Sequence, residues 1–370
     1  VFLALRELSH ARFRYLLIGV ILTLVAWLVF LLSGLANGLA TDNASALINM
    51  KADYILLQPG SRLLLHRSLL PEERVAQVSK IPGVKAAAAL GQLTATVVRV
   101  NSSEQIDTTI LAIDPASFLA PRVEEGQSLM TSPANGVVVD EHFQQHGVKL
   151  GDQLKIASSE IIVTVTGFTS GQTYGHLPVM FTSIPLWQSL RFATPGSKGQ
   201  ISDPVSAVAV QMDPATSEQV VKAIPGVELA KRTEVLQNLP GYKEEMGTIS
   251  MIQVFLFLIA AFIIAVFFYV LTLQKTNQFG ILKALGANTR FLAQNLIGQV
   301  ILLSLSGILA GALLSYGVAA LIPANVPFSL ETNLVITSSL ALLVVALVGT
   351  LLSLWQIAKV DALVAIGKVD

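Results

Sequence analysis

Few side chains in this sequence are equipped for chemistry. His142 and His146 stand four apart, so on a helix they share one face, the spacing of paired imidazole ligands to a metal. No third ligand stands near them, and a solvated helix face explains the pair more simply. Nucleotide chemistry has no foothold, because the phosphate-cradling pattern G-x-x-x-x-G-K-[ST] is missing, as are H-E-x-x-H and G-x-S-x-G. There is no cysteine, hence no disulfide framework, zinc–thiolate site or cysteine nucleophile. These residues do not describe an enzyme. One stretch does ask for a partner: TNQFGILKALGANTRFL, residues 276–292, carries Lys283 and Arg290 and no acid, and it interrupts two long apolar runs.

The elements that position these residues follow from composition. Hydrophobic residues make up 53% of the chain and charged residues 13%, against about 25% charged in ordinary globular proteins. Uncharged runs occupy 15–41, 246–274, 291–330 and 332–358. About 20 apolar residues cross the hydrocarbon as a helix, and lipid offers open backbone groups no other partner. The fold class is therefore a membrane protein with four transmembrane α-helices and a large extracytoplasmic α+β domain between helices 1 and 2. The third run leaves the membrane at IPANVPFS, 322–329. The first run is too long for a signal-peptide core of about 7–15 residues and reads as an uncleaved anchor. The runs hold no Asp, Glu or His, which argues against an ion-driven carrier. Net charge is zero, which argues against a nucleic-acid partner.

Charge bias sets sidedness. Arg6, Arg12 and Arg14, then Lys275, Lys283 and Arg290, then Lys359 and Lys368 outweigh Glu7, Asp361 and Asp370. The expected order is a cytoplasmic amphipathic segment 1–14, span 15–41, extracytoplasmic domain 42–245, span 246–274, cytoplasmic loop helix 275–290, spans 291–321 and 332–358, and a cytoplasmic tail 359–370. The setting is a plasma membrane, with both termini inside and the large domain outside.

Within 42–245, β-branched alternating stretches predict strands at 93–100, 107–113, 136–140, 160–168 and 205–212, with helices near 71–80 and 215–223. LPEERVAQVSKIPGVKAA (70–87) echoes DPATSEQVVKAIPGVELA (213–230). Each reads as a helix stopped by Pro, a Gly turn and an extended stretch. Two such halves imply a split βαβ core, with a β-rich insertion at about 101–205.

The loop helix can be a lever pressed into a partner's groove. Phe279, Ile281, Leu282 and Leu285 would supply its apolar face, Lys283 and Arg290 its rim, and Gly280 and Gly286 its turns. An ordinary loop anchored to phospholipid phosphates is the competing reading. One span, a large outer domain and three further spans with GILKALGA in the inner loop resemble the MacB/FtsX-like permease subunits of ABC transporters. VVVDE…GVKLGD and VTGF support the likeness. FRYLLIG (13–19), SGLANGLATDN (33–43), NMKADYILLQ (49–58), TYGHLPVMF (173–181) and ALGANTR (284–290) resemble the haem-exporter branch, the HrtB-type permeases, to which DevC-type exporters are related. The likeness implies that 276–292 is a coupling helix docking on a separate ATPase subunit that carries ATP and Mg. It further implies a homodimer, a mechanotransmission mechanism without a through-channel, and haem as substrate with no covalently bound cofactor. The chain has Gln278 and Phe279 where family members usually carry an acidic residue.

Haem demands an apolar slot, an axial ligand and polar groups near its propionates. Trp27, Phe30, Gly34, Asn37 and Thr41 fall on one stripe of the first span, where Gly34 and Gly38 permit close approach of another helix. Met246, Ser250 and Gln253 share a face of the second, with Tyr242 just outside it. Met246 or Met251 would be the iron ligand, with Tyr174 and His176 as lesser candidates; packing against helices and lipid is the plainer account of each residue. The implied function is an ABC export permease that expels an amphiphile, haem, from the outer leaflet. The alternative is an FtsX-like signalling subunit that activates an extracellular partner without moving a substrate, and a membrane-anchored binding module is a third reading.

Overall fold

The computed structural model describes residues 12–100, 102–157, 159–192, 201–274, 276–323 and 326–359. The N-terminal segment 1–11, Lys275 and the tail from 360 lie outside the described residues. The chain forms two compact units, 1–39 with 247–370, and 40–246.

The second unit, the head, opens with the last residues of helix α1 (Arg12–Ile48), whose backbone leaves helical geometry at Ala44. Strand β1 (Tyr54–Leu57) and the short β2 (Leu70–Pro71) precede helix α2 (Glu73–Ser79) and the 16-residue strand β3 (Val84–Arg99). Then come β4 (Gln105–Ile113), β5 (Glu125–Gly126), β6 (Gly136–Asp140), α3 (His142–Gln145), β7 (Gln153–Ile156), β8 (Ile162–Thr169), β9 (Thr173–Tyr174), β10 (Leu177–Ser183) and α4 (Ile184–Arg191). The head closes with β11 (Pro204–Val205), β12 (Ala207–Met212), α5 (Ser217–Ala223), β13 (Glu228–Lys231) and α6 (Arg232–Gln237).

The two echoing stretches become equivalent units. β1–α2–β3 and β12–α5–β13 interleave in the all-antiparallel order β13-β1-β12-β3, a split βαβ arrangement. The shared Pro–Gly turn puts Gly83 at φ +91 and Gly226 at φ +77, backbone that a side chain rarely adopts. The β-rich insertion is not a separate layer, because the sheet continues β3-β4-β10-β6-β8-β5. Strand β3 serves both parts: Val84–Leu90 pairs with β12 and Leu90–Val98 with β4. Helix α4 covers β3 with Trp187, fully buried, over Gly91, where an added Cβ would come within 2.6 Å of the indole.

The first unit contains α1 up to residue 39, α7 (Tyr242–Gln274) from residue 247, α8 (Thr276–Ala284), α9 (Thr289–Ala319) and α10 (Thr332–Lys359). Among the described residues, four helices are long and apolar enough to cross a membrane. Small residues set their closest contacts. A Cβ on Gly307 or Gly311 of α9 would meet Leu22 at 2.8 Å or Ala26 at 2.9 Å, and one on Gly349 of α10 would meet Ala265 of α7 at 3.2 Å. Such approaches let helices pack by van der Waals contact where lipid removes the hydrophobic drive.

Candidate functional site

The inner helix α8 is built by its ends. Thr276 Oγ1 donates to the carbonyl of Leu273 at 2.8 Å, tying the start of α8 to the foot of α7. At the other end Gly286, at φ +94, closes a Schellman turn, in which its N–H donates to Lys283 O and that of Ala287 to Leu282 O at 2.9 Å. Asn288 then caps α9 by accepting from the Arg290 N–H. The turn leaves Ile281 and Leu285, four apart, turned outward with 54% and 79% of their surface exposed. Arg290, in the first turn of α9, is exposed. Leu282 belongs elsewhere, packing with Ala287 against Leu292 and Leu296 at the foot of α9, so the outward apolar face excludes it. Gly280 makes no turn; it is a buried position within α8, while Gly286 alone of the two has positive φ. Phe279 lies on α8, and Lys283 is half-buried.

The slot residues separate into different environments. Phe30 is fully buried with Val29, Ala26, Leu256 and Leu342, so it serves the helix core and offers no open wall. Trp27 is half-buried, and its indole Nε1 is buried without a hydrogen-bond partner among the described residues. Gly34 and Gly38 do not receive a helix. Pro327 and Phe328, between α9 and α10, fill that notch: added Cβ atoms would meet the Phe328 ring at 2.7 Å and Pro327 O at 2.3 Å. Asn37 serves the same contact, donating from Nδ2 to Ser329 O at 3.3 Å, and Gly34 O accepts from Ser329 N. On α7, Ser250 and Met251 are exposed and Gln253 is half-buried.

The remaining candidates lie in the head. Tyr242 and Met246 are half-buried. The carbonyl of Thr41 accepts from Thr173 Oγ1 at 3.2 Å. Tyr174 is buried in the head core, which raises its pKa and withdraws its hydroxyl from ligand duty. His176 is committed too. Gly175 and His176, at φ +63 and +61, form the two-residue turn between β9 and β10. This turn sets His176 Nδ1 2.9 Å from Asp42 Oδ2 and Nε2 3.6 Å from Glu245 Oε2. Asn43 Nδ2 donates to the same Glu245 oxygen at 2.8 Å. The residues from α1 and the first turn of α7 are thus clasped by one imidazole.

Sequence reasoning did not find this clasp. Its only signal was that Asp42 and Glu245 are the charges bounding the first two uncharged runs. Arg232 was missed as well; its guanidinium donates to the carbonyls of Leu47 and Ile48, both at 2.7 Å, capping the C-terminal end of α1.

The paired histidines do not cooperate. His142 binds Asp140, which is fully buried and also accepts from Gln172 N at 2.7 Å, while His146 Nδ1 lies 2.8 Å from Glu104. The Asp140 hydrogen bond, opposed in part by desolvation, raises the His142 pKa. Among the described residues no group of three His, Cys, Asp or Glu is placed to hold a metal ion.

The family model described as FtsX-like permease C-terminal matches residues 250–362. That stretch is an FtsX-like permease domain. Over 368 residues the whole chain is 28% identical to a Staphylococcus epidermidis protein bearing the name hemin transport system permease protein HrtB, covering 99% of both chains. A Staphylococcus haemolyticus protein of the same name is 27% identical, with 100% and 99% covered. An uncharacterised ABC transporter permease of Mycobacterium tuberculosis is 25% identical, with 99% of each covered. Among solved structures, the periplasmic region of MacB from Actinobacillus actinomycetemcomitans aligns with a TM-score of 0.37 and 11% identity over 50% of this chain and 92% of that one. Along its whole length the chain is thus similar to ABC transporter permeases, among them proteins named for hemin transport.

Proposed function

We propose that this permease draws its energy from a separate ATPase subunit docked on α8 and uses it to expel an amphiphilic substrate, haem, from the outer leaflet. The observation that carries the reading is the outward pair Ile281 and Leu285, displayed by the Gly286 turn, with the exposed Arg290 following in the first turn of α9. Two aliphatic side chains one helical turn apart suit a groove on another protein. Motion of α8 would pass into α7 through the Thr276 bond and into α9 through the Asn288 cap. The head would then move with the ATP cycle while the substrate leaves at the membrane surface, and a second copy of the chain would complete the transporter. Both termini and α8 would face the cytoplasm. The names of the full-length relatives support haem as the cargo.

Two experiments test this. With the cognate ATPase co-expressed, Leu285→Asp abolishes permease-stimulated ATP hydrolysis while the protein remains membrane-inserted; hydrolysis at the wild-type rate would refute docking through α8. Hemin added to the purified permease shifts its Soret band, and Met246→Ala with Met251→Ala alters that shift. An identical spectrum in the double variant removes both methionines as ligands. A signalling subunit, by contrast, would give no hemin spectrum and would co-purify with an extracellular enzyme.

A further inference from the structure

The head contains a cleft that the proposed transport route does not use. It has a volume of about 190 Å³ and is lined entirely by residues of the second unit. Its floor is one face of the sheet, made by Leu90 of β3, Leu111 and Ile113 of β4 and Phe181 of β10. One wall is the end of α1 and the residues just after it, with Ala46 and Met50. The other is the loop after β4, with Phe118 and Leu119.

Both walls are fixed in place. The α1 end is held by Ser45 Oγ, 2.7 Å from Thr173 Oγ1, by Asn49 Nδ2 donating to Gly171 O at 3.1 Å, and by the Arg232 cap. The loop is folded on itself where Ala116 N donates to Asp114 Oδ1 and Leu119 N to Ser117 Oγ. Its far end is tied down by Thr169 Oγ1 donating to Arg122 O at 2.8 Å. A cavity between anchored walls costs little ordering on binding.

The cleft is cationic. Lys51 and Arg122 both line the cleft and are both exposed, and no acidic residue lines it. Neither ammonium nor guanidinium meets a carboxylate among the described residues. An apolar floor under two uncompensated cations selects an occupant with a greasy body and an anionic end. The volume lies below the roughly 300–1,000 Å³ of sites that enclose drug-sized ligands, so a broad macrocycle does not fit and a slender chain does.

We infer that this cleft binds a single-chain amphiphilic carboxylate, its alkyl arm on the Leu90–Leu111–Ile113–Phe181 floor and its carboxylate between Lys51 and Arg122. Because one wall is the end of α1, occupancy touches the segment by which the first spanning helix enters the head. The site is independent of nucleotide hydrolysis, so it stands or falls separately from docking on α8.

The test uses the full chain in phosphatidylcholine nanodiscs and a dodecanoate carrying an alkyl diazirine, with its methyl ester as neutral control. After illumination, peptide mass spectrometry locates the adducts. The expected result is adducts on residues 46–51 and 114–122 that form with the acid, fall about tenfold with the ester, and are competed away by excess laurate. Lys51→Gln with Arg122→Gln lowers these adducts about tenfold while leaving adducts on the spans unchanged, which serve as the internal measure of correct folding. Equal labelling by acid and ester, adducts confined to the spans, or no competition by laurate in the wild-type protein would overturn the assignment. Competition by hemin with none by laurate would overturn the single-chain choice.

Discussion

At the scale of single residues, the polar side chains of this protein are spent on fastening. His142 shows the energetic sign. Its bond to buried Asp140 raises its pKa, so the folded protein holds the imidazolium more tightly than the unfolded chain does. The stabilisation is full below the ordinary histidine value of about 6.5 and is lost as pH rises through the raised folded value. Thermal unfolding of the head is therefore expected to occur at lower temperature at pH 8 than at pH 6, and His142→Gln flattens that dependence. A variant with the wild-type slope would show that another group carries it. Some of this scale was legible in advance, since the repeated Ile-Pro-Gly-Val turns announced Gly83 and Gly226. The clasp around His176 and the Arg232 cap were not. They join positions 134 and 185 residues apart, and side-chain pairs so distant leave no periodic trace.

At the scale of elements, the β-branched strands stood out because alternation marks one buried face. Strand β3 was only half visible, since Ala86–Ala89 has weak strand propensity and is held in the sheet by its neighbour β12. The spanning helices were legible as uncharged runs, but their contacts were not. Gly34 and Gly38 carry the spacing of a helix-packing motif yet receive a loop, while Gly307 and Gly311 make the close approach to α1. A helix made from either pair has the same pattern; only the partner's position decides. Gly311→Val is expected to overpack the α9–α1 contact and lower stability by about 1–3 kcal/mol, read as a lower unfolding temperature in detergent. Gly298→Ala, where nothing lies within 4 Å of an added Cβ, is neutral or stabilises the helix by up to about 1 kcal/mol.

At the scale of the whole molecule, the chain inserts a large mixed domain between its first two spanning helices, and the sidedness inferred from its basic residues can be measured. The sequence has no cysteine, so single thiols report without background. A membrane-impermeant maleimide is expected to label Lys80→Cys on intact cells and Gln278→Cys only after permeabilisation; both positions are exposed in their own units. Labelling of both on intact cells would reverse the orientation of α8 and remove the basis for ATPase docking.

Strand β3 has a consequence for anyone who would trade parts between relatives. One continuous backbone supplies hydrogen bonds to the split core on one stretch and to the inserted strands on the next. Chimaeras joined near 100 and 205 would mismatch a seam that runs through the middle of a sheet, whereas crossovers near 40 and 246 exchange the exposed body entire. The body should therefore be exchanged as a block, and piecemeal swaps should yield misfolded hybrids.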